Sequence, residues 1–341
     1  MLKNFWYALE FSSRVTPTTP STITCLEQPI VMTRGADGTI AAHHRDRTGD
    51  EVMPALERYG FVWVFVGDAG FPLDQAPPIP DWPEWDDPRY GGHEVKGDWF
   101  WKANVDRIVE NGCDAAHTPF VHAGQFGNPE LPEVPDYEVE HISDFESRLS
   151  VELHPPAPKG LFALRNKARR SLKERPPVLT RTGWQLPNLI RLEVNLPLGQ
   201  LVIYDTNIPI DATTTLTKWV ALRTFFIGKW ADKNAAKRVP PIFEADQVIV
   251  ENQRPELLPF DLSAELHVKS DAIAVAYRRR LIELNDSGFR YDSGSGLLLG
   301  RRPQELPDAA TLAALTTPPP PPLPAAAPAQ LEGLGATPVA S

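Results

Sequence analysis

The segment 111–122, with the sequence NGCDAAHTPFVH, concentrates side chains that could bind a metal. His117 and His122 are five residues apart, Asp114 precedes His117 by three residues, and Asn111 precedes Asp114 by three. On a helix, this spacing keeps Asn111, Asp114 and His117 on roughly one side. The alternative is that both histidines are ordinary hydrogen-bonded residues near a helix end.

Pro119 determines whether the two histidines can meet. On a straight helix, His122 would lie about 140° away from His117 and point elsewhere. Because proline cannot continue a helix through its own position, we expect the helix to end or kink near Thr118. That change of direction would bring His122 beside His117, and two imidazoles placed in this way are good ligands for a first-row metal.

A carboxylate in a second predicted helix could complete the site. In IFEADQVIVENQ, Asp246 lies in the middle of an apolar stripe that consists of Ile242, Phe243, Ile249 and Val250. A buried carboxylate must be paired or bound to a cation, so the alternatives are an arginine salt bridge and a metal. Two histidines and one carboxylate form the facial triad that suits non-haem Fe(II) and leaves positions open for O₂ and substrate. Zinc could bind the same three ligands and is the alternative metal.

The elements that would position these residues predict an α+β fold. Residues 1–75 are dominated by β-prone runs, with a turn at GADG and a buried strand in YGFVWVFVGD. A helix follows DWFWKANV, and further helices are predicted in the proline-initiated segment 239–255 and in the segment 271–284. A large antiparallel sheet is expected from four β-rich runs, at 147–155, 189–197, 199–209 and 216–226.

The composition excludes several classes of function. The chain of 341 residues has a net charge of −10, which argues against nucleic acid or an anionic membrane as the main partner. We find no apolar run long enough to span a bilayer and no signal-peptide pattern. Two cysteines cannot build a disulfide framework, which favours a reduced cytoplasmic location. The basic run 165–175 is typical of a solvated face, with docking of an acidic electron carrier as the alternative.

The metal-binding pattern resembles that of a known family. NVDRIVENGCDAAHTPFVH resembles the E-N-x-x-D-x-x-H-x-x-x-x-H segment of the Rieske-type non-haem iron oxygenases, in the branch that contains vanillate O-demethylase and pheophorbide a oxygenase. DQVIVENQRP is similar to the segment that carries the family's carboxylate ligand. The resemblance covers most of residues 1–300 and implies a small Rieske-like β domain followed by a helix-grip antiparallel sheet.

The resemblance also implies roles for individual residues. His117, His122 and Asp246 would bind a mononuclear Fe(II), Asp114 would couple this iron to the cluster of a neighbouring subunit, and Asn111 would lie near the metal. The implied reaction is O₂-dependent hydroxylation or oxidative demethylation of an aromatic or other apolar ring. Members are commonly homotrimers that receive electrons from a ferredoxin or a flavin reductase.

The sequence departs from this family at the Rieske 2Fe–2S cluster, whose ligands come from a C-x-H pair and a C-x-x-H pair. Neither pair is present, because Cys25 and Cys113 are not followed by a histidine at either spacing. His43 and His44 cannot hold the cluster alone and are expected to be solvated loop residues. Electrons would then have to be supplied in trans, by a reductase, a ferredoxin or a separate Rieske protein. The alternatives are a non-catalytic ligand-binding relative and a truncated product of an intact oxygenase gene.

Four parts of the chain are expected from these observations. Residues 1–75 would form the Rieske-like β base without its cluster-binding lobe, and residues 76–98 would form a proline-rich linker. Residues 99–300 would form the helix-grip catalytic domain with the iron site. Residues 301–341, rich in proline and alanine, would form a disordered tail.

Overall fold

The computed structural model of the chain describes residues 1–45, 52–125, 127–155 and 176–291. The basic run 165–175 and the predicted tail 301–341 lie outside these residues. Within the described part, the strands are β1 (Phe5–Phe11), β2 (Ser21–Cys25), β3 (Gln28–Arg34), β4 (Ile40–His44), β5 (Val52–Met53), β6 (Ala55–Arg58), β7 (Phe61–Val66), β8 (Val95–Trp101), β9 (Glu140–Ser143), β10 (Glu146–Leu153), β11 (Val178–Gln185), β12 (Leu189–Leu196), β13 (Gly199–Asp211) and β14 (Thr214–Arg223).

The same part of the chain contains α-helices and several shorter helical turns. The α-helices are α1 (Val105–Cys113), α2 (Thr118–Val121), α3 (Asp232–Ala236), α4 (Pro240–Val250) and α5 (Ala272–Leu284). The short turns are Ser12–Arg14, Leu73–Gln75, Pro88–Tyr90, Lys229–Ala231, Leu262–Ala264, Lys269–Asp271 and Asn285–Phe289. Among the described helices, none combines the length and the apolar character that a bilayer crossing needs.

Two small antiparallel sheets form the N-terminal part. One has the order β1-β7-β6 and the other has the order β2-β3-β4-β5. All six residues of β7 are buried, as the run YGFVWVFVGD predicts. The prediction for His43 and His44 was wrong: both lie in β4, paired with β3, and are half-buried rather than in a solvated loop.

A seven-stranded antiparallel sheet forms the larger part, in the order β8-β14-β13-β12-β11-β10-β9. Its strands include the four β-rich runs that predicted such a sheet. The strands β8, β9 and β11 were not predicted, and β8 crosses the boundary at residue 98 that was expected between the linker and the catalytic domain. Trp101 in β8 is fully buried, and its indole Nε1 donates a 2.7 Å hydrogen bond to Thr217 Oγ1 of β14.

The two faces of this sheet pack against different partners, as the alternation of side chains along a strand requires. On β13, Ile203 and Asp205 face the helices and a cavity. The intervening Tyr204 faces the N-terminal sheets, where its ring stacks on Trp82 at a centroid distance of 4.1 Å. The α+β prediction, with helices against an antiparallel sheet, is confirmed, and α4 and α5 lie where the sequence predicts them.

Candidate metal centre

Helix α1 begins at a side-chain cap and ends where the backbone N–H of Asp114 closes its last turn. Asn104 is its N-cap, and its side chain accepts a 3.0 Å hydrogen bond from the backbone N–H of Asp106. The helix ends at Cys113, not near Thr118 as predicted from Pro119. Pro119 instead occupies the first turn of α2, a position that proline favours.

The break at Asp114 changes how His117 is positioned. The carboxylate of Asp114 accepts hydrogen bonds from the backbone N–H groups of Ala116, at 2.8 Å, and His117, at 2.9 Å. These contacts fold the chain back after α1 so that His117 precedes α2 and His122 follows it. The side chains therefore converge from the two ends of a single helical turn rather than from one helical face.

Buried polar contacts fix α1 on α5. Arg278 binds Glu110 through both oxygens, at 2.5 and 2.8 Å, and Tyr277 donates a 2.9 Å hydrogen bond to Asp106. Gly112 packs directly against Ile190 of β12, where a Cβ atom would lie 2.5 Å from the isoleucine Cδ1. This close approach holds the end of α1 on the sheet, immediately before the histidine segment.

His117, His122 and Asp246 are brought together. The Nε2 atoms of the two histidines are 3.1 Å apart. Asp246 Oδ1 lies 3.1 Å from His122 Nε2 and 3.4 Å from His117 Nε2. Among the described residues, these three form the group of histidine and acidic side chains whose donor atoms converge closely enough to hold one metal ion.

Asp246 lies on α4 and is 7% exposed, as the apolar stripe predicts. Phe243 and Val250 of that stripe are buried, but Ile249 is 47% exposed, so the stripe is narrower than predicted. The arginine salt bridge considered for Asp246 is not formed in the described part of the chain, where its ion-pair partners are the two histidines.

The carboxylates around His117 shift its pKa. Burial by itself lowers this pKa, but hydrogen bonds and charge interactions with Asp114 and Asp246 outweigh it and raise the pKa from 6.5 to about 9. Asp114 Oδ2 lies 3.3 Å from His117 Nδ1. For Asp246, burial raises the pKa and the two histidines more than reverse this, which leaves the pKa at about 2. Without a metal, the group therefore contains a carboxylate and a protonated imidazole at neutral pH.

A cavity of about 140 Å³ lies beside the three side chains, between the sheet and helices α1 and α4. Its wall contains Asn111 and Asp114, so every predicted site residue borders it. Most of the remaining wall is apolar, as in ligand pockets generally. Its described apolar residues include Trp101, Ile108, Leu153, Ile190, Leu192, Val194, Ile203, Ile242 and Phe243.

Asp205, which was not predicted from the sequence, also lines this cavity and is 9% exposed. A signal was present in QLVIYDTNIP: period-two alternation places Asp205 on the same face as the apolar Ile203. Burial, and secondarily the charge of Asp246, raise the pKa of Asp205 from 3.8 to about 8.

Comparison with known proteins identifies the family. The family described as the vanillate O-demethylase oxygenase C-terminal domain matches residues 101–287, which is more than half of the chain. The chain belongs to this family. It is therefore a Rieske-type, non-haem iron oxygenase of the demethylase and monooxygenase group.

Two curated relatives align over most of this Rieske-type oxygenase. The probable methylxanthine N7-demethylase NdmC of Pseudomonas sp. (strain TJI-51) is 29% identical over 253 residues, covering 73% of this chain and 83% of the relative. The vanillate O-demethylase oxygenase subunit of Pseudomonas sp. (strain ATCC 19151) is 27% identical over 270 residues, covering 73% and 78%.

Solved structures show the same fold. NdmA of Pseudomonas putida CBB5 with caffeine has a TM-score of 0.64 at 19% identity, covering 84% of this chain and 91% of that one. Dicamba monooxygenase bound to dicamba has a TM-score of 0.65 at 17% identity, covering 84% and 98%. At these identities, the likeness supports the fold alone, including the helix-backed antiparallel sheet.

Proposed function

We propose that His117, His122 and Asp246 are the iron ligands of this oxygenase. The observation that carries the proposal is the convergence of their three donor atoms, at separations of 3.1 to 3.4 Å, beside an apolar cavity. For metal–ligand distances of about 2.1 Å, such separations correspond to ligand angles of about 90–110°. Because these angles also suit zinc, the choice of iron rests on membership of the oxygenase family.

Each part of the site would have its own task in catalysis. Bound iron would supply O₂ activation at positions that the three ligands leave open. Asp114 would hold His117 in place through two backbone hydrogen bonds and the contact with its Nδ1. The apolar walls would exclude water and hold a planar ring near the metal ligands, with Asn111 at the edge of the cavity.

We infer that the reaction is oxidative demethylation of a methyl group carried by ring oxygen or nitrogen. The support is that the aligned relatives are named as an N-demethylase and an O-demethylase. Each turnover would consume the substrate, one O₂, two electrons and two protons, and would release the demethylated ring, formaldehyde and water. The cavity volume of about 140 Å³ favours a single-ring substrate, since a cavity of about 150 Å³ holds benzene.

We further propose that these electrons are supplied in trans. The sequence contains two cysteines and neither cysteine–histidine pair of a Rieske cluster, so the chain provides no internal relay of that type. A ferredoxin, a flavin reductase or a separate Rieske protein would donate them, and Asp114, 30% exposed at its side chain, would lie between the donor and His117. A homotrimer is the expected assembly.

Metal and visible-spectrum analysis tests the iron site and the electron supply together. We expect about one Fe per purified chain, its loss in His117→Ala and Asp246→Ala, and retention in the control Asp211→Asn at the far end of β13. The chain alone should lack the visible bands of a 2Fe–2S cluster. A 2Fe–2S spectrum from the pure chain would contradict the proposed electron supply in trans. It would not contradict the proposed iron ligands.

Turnover driven by hydrogen peroxide tests catalysis independently of electron transfer. The iron-loaded chain should release formaldehyde from methoxy- or N-methyl-substituted rings, and Asp246→Ala should release none. If the wild-type chain bound neither iron nor zinc and both alanine variants folded unchanged, a non-catalytic ligand-binding relative would be the better description.

A further inference from the structure

Asp205 is a buried carboxyl group that the proposed iron chemistry does not use. It lies in the middle of β13, opposite Ile190 of β12 and Trp219 of β14, on the face that lines the cavity. The residue is 9% exposed, and its Oδ1 atom has no hydrogen-bond partner. In the described part of the chain, no cationic side chain forms an ion pair with it.

The neighbouring polar groups of the same wall are satisfied within the protein. Asn207 accepts a hydrogen bond from Thr217 Oγ1 and donates one to the carbonyl of Asn188. Thr182 donates a 2.8 Å hydrogen bond to the carbonyl of Gly112. Unlike Asn207 and Thr182, Asp205 has a buried side-chain oxygen without a hydrogen-bond partner.

Leaving such a group unpartnered is unfavourable. A buried polar atom without a hydrogen bond destabilises the folded protein. Burial also disfavours the ionised form of Asp205 and raises its pKa to about 8. Whether protonated or ionised, a carboxyl group retains acceptor lone pairs. A molecule that enters the cavity with an O–H or N–H group could satisfy it.

We propose that Asp205 determines the substrate specificity of this cavity by accepting a hydrogen bond from an O–H or N–H group on the substrate ring. This inference rests on the proposed function, in which the cavity holds a planar ring. It adds that the ring carries a hydrogen-bond donor as well as the group that reacts. Binding of that donor at β13 would orient the ring relative to His117, His122 and Asp246.

Phenol and anisole provide a matched pair of probes, because anisole is phenol with its O–H hydrogen replaced by a methyl group. Calorimetric titration would measure both affinities for the iron-loaded and the metal-free chain. We expect the wild type to bind phenol at least about tenfold more tightly than anisole. Anisole has no O–H group, so its binding would leave the buried acceptor of Asp205 without a hydrogen bond. The iron content of each variant would be measured in the same preparations.

Three variants distinguish recognition of the ring by Asp205 from a purely structural role of this residue. Asp205→Asn keeps an acceptor oxygen and should keep the preference for phenol. Asp205→Leu removes the acceptor and should prefer anisole by about fourfold, because of the additional buried methyl group. Asp211→Asn removes a carboxylate from the far end of the same strand and should behave like the wild type.

Three outcomes would overturn the assignment: no preference in the wild type, an unchanged preference in Asp205→Leu, or a loss of iron in Asp205→Leu equal to that of Asp246→Ala. The last result would make Asp205 part of the metal site. Because the metal-free chain is also titrated, a failure of iron binding by the three proposed ligands is distinguishable from a failure of ring recognition by Asp205.

Discussion

Binding of Fe(II) to the metal-free chain should release at least about one proton at neutral pH, the proton held by His117. A metal needs the neutral imidazole of His117, whereas in the metal-free protein the pKa of this residue is raised to about 9. Burial opposes this rise, and the interactions with Asp114 and Asp246 produce it. Asp246 is already ionised at neutral pH, because its pKa is about 2, so it contributes no proton.

The size of the pH effect on Fe(II) affinity follows from the difference between the pKa of His117 and the pH of the measurement. With a pKa of about 9, His117 is neutral in roughly one molecule in a hundred at pH 7. The apparent affinity for Fe(II) should therefore be about 100-fold weaker at pH 7 than well above pH 9, equivalent to about 2.7 kcal/mol. Between about pH 6.5 and pH 8.5, it should rise about tenfold per pH unit.

Anaerobic titration calorimetry in buffers of different ionisation enthalpy would count the released protons, and competition with a chelator would give the affinity at each pH. Asp211→Asn is the control for removing one acidic charge and should release the same number of protons as the wild type. An affinity that stays constant between pH 7 and pH 8, or a proton count near zero, would refute the protonated state assigned to His117.

Three further perturbations follow from the same contacts. Arg278→Ala should lower the free energy of unfolding by about 3 kcal/mol in a denaturant titration, because buried Glu110 loses its two-oxygen partner and keeps only Arg107, at 3.7 Å; adding Glu110→Leu should restore part of the loss. The His117 contribution to the stability of the metal-free chain, up to about 3 kcal/mol, should be fully present below pH 6.5 and should be lost as the pH rises through 9, since the pKa of His117 is higher in the folded state. Thermal unfolding between pH 5 and pH 10 measures this loss. Asp114→Asn should reduce peroxide-driven and electron-driven formaldehyde release equally if Asp114 only positions His117, and should reduce the electron-driven rate more if it also serves electron transfer.

Much of the site could be predicted because its residues obey short-range rules. The spacing of His117 and His122 around Pro119 predicted that the two imidazoles would meet, and they do, although the chain turns at Asp114 and not at Pro119. The burial of Asp246 followed from its place among apolar residues at helical spacing, and Pro240 marked the start of its helix. These inferences needed only the period of a helix and the conformational limits of proline.

The errors have equally specific causes. The predicted kink near Thr118 was wrong because the Asp114 side chain accepts hydrogen bonds from the backbone N–H groups of Ala116 and His117. These bonds compete with continuation of the helix, so α1 ends without a proline or glycine signal. His43 and His44 lie in a strand because the predicted turn at GADG closes a hairpin between β3 and β4, and this hairpin extends as far as both histidines. Period-two alternation places Asp205 on the same face as Ile203, but it was missed because both faces of β13 are buried around it, so the pattern does not tell which face lines a cavity.

The electrostatic interaction between Asp205 and Asp246 couples binding of the ring to binding of the metal. Both carboxyl groups are buried at one cavity, and the charge of Asp246 contributes to the raised pKa of Asp205. A cation bound by Asp246 would offset that charge and so favour the ionised, more strongly accepting form of Asp205. If Asp205 accepts a hydrogen bond from the ring, the same ring should bind more tightly to the metal-loaded chain than to the metal-free chain, and by linkage the ring should tighten metal binding by the same factor.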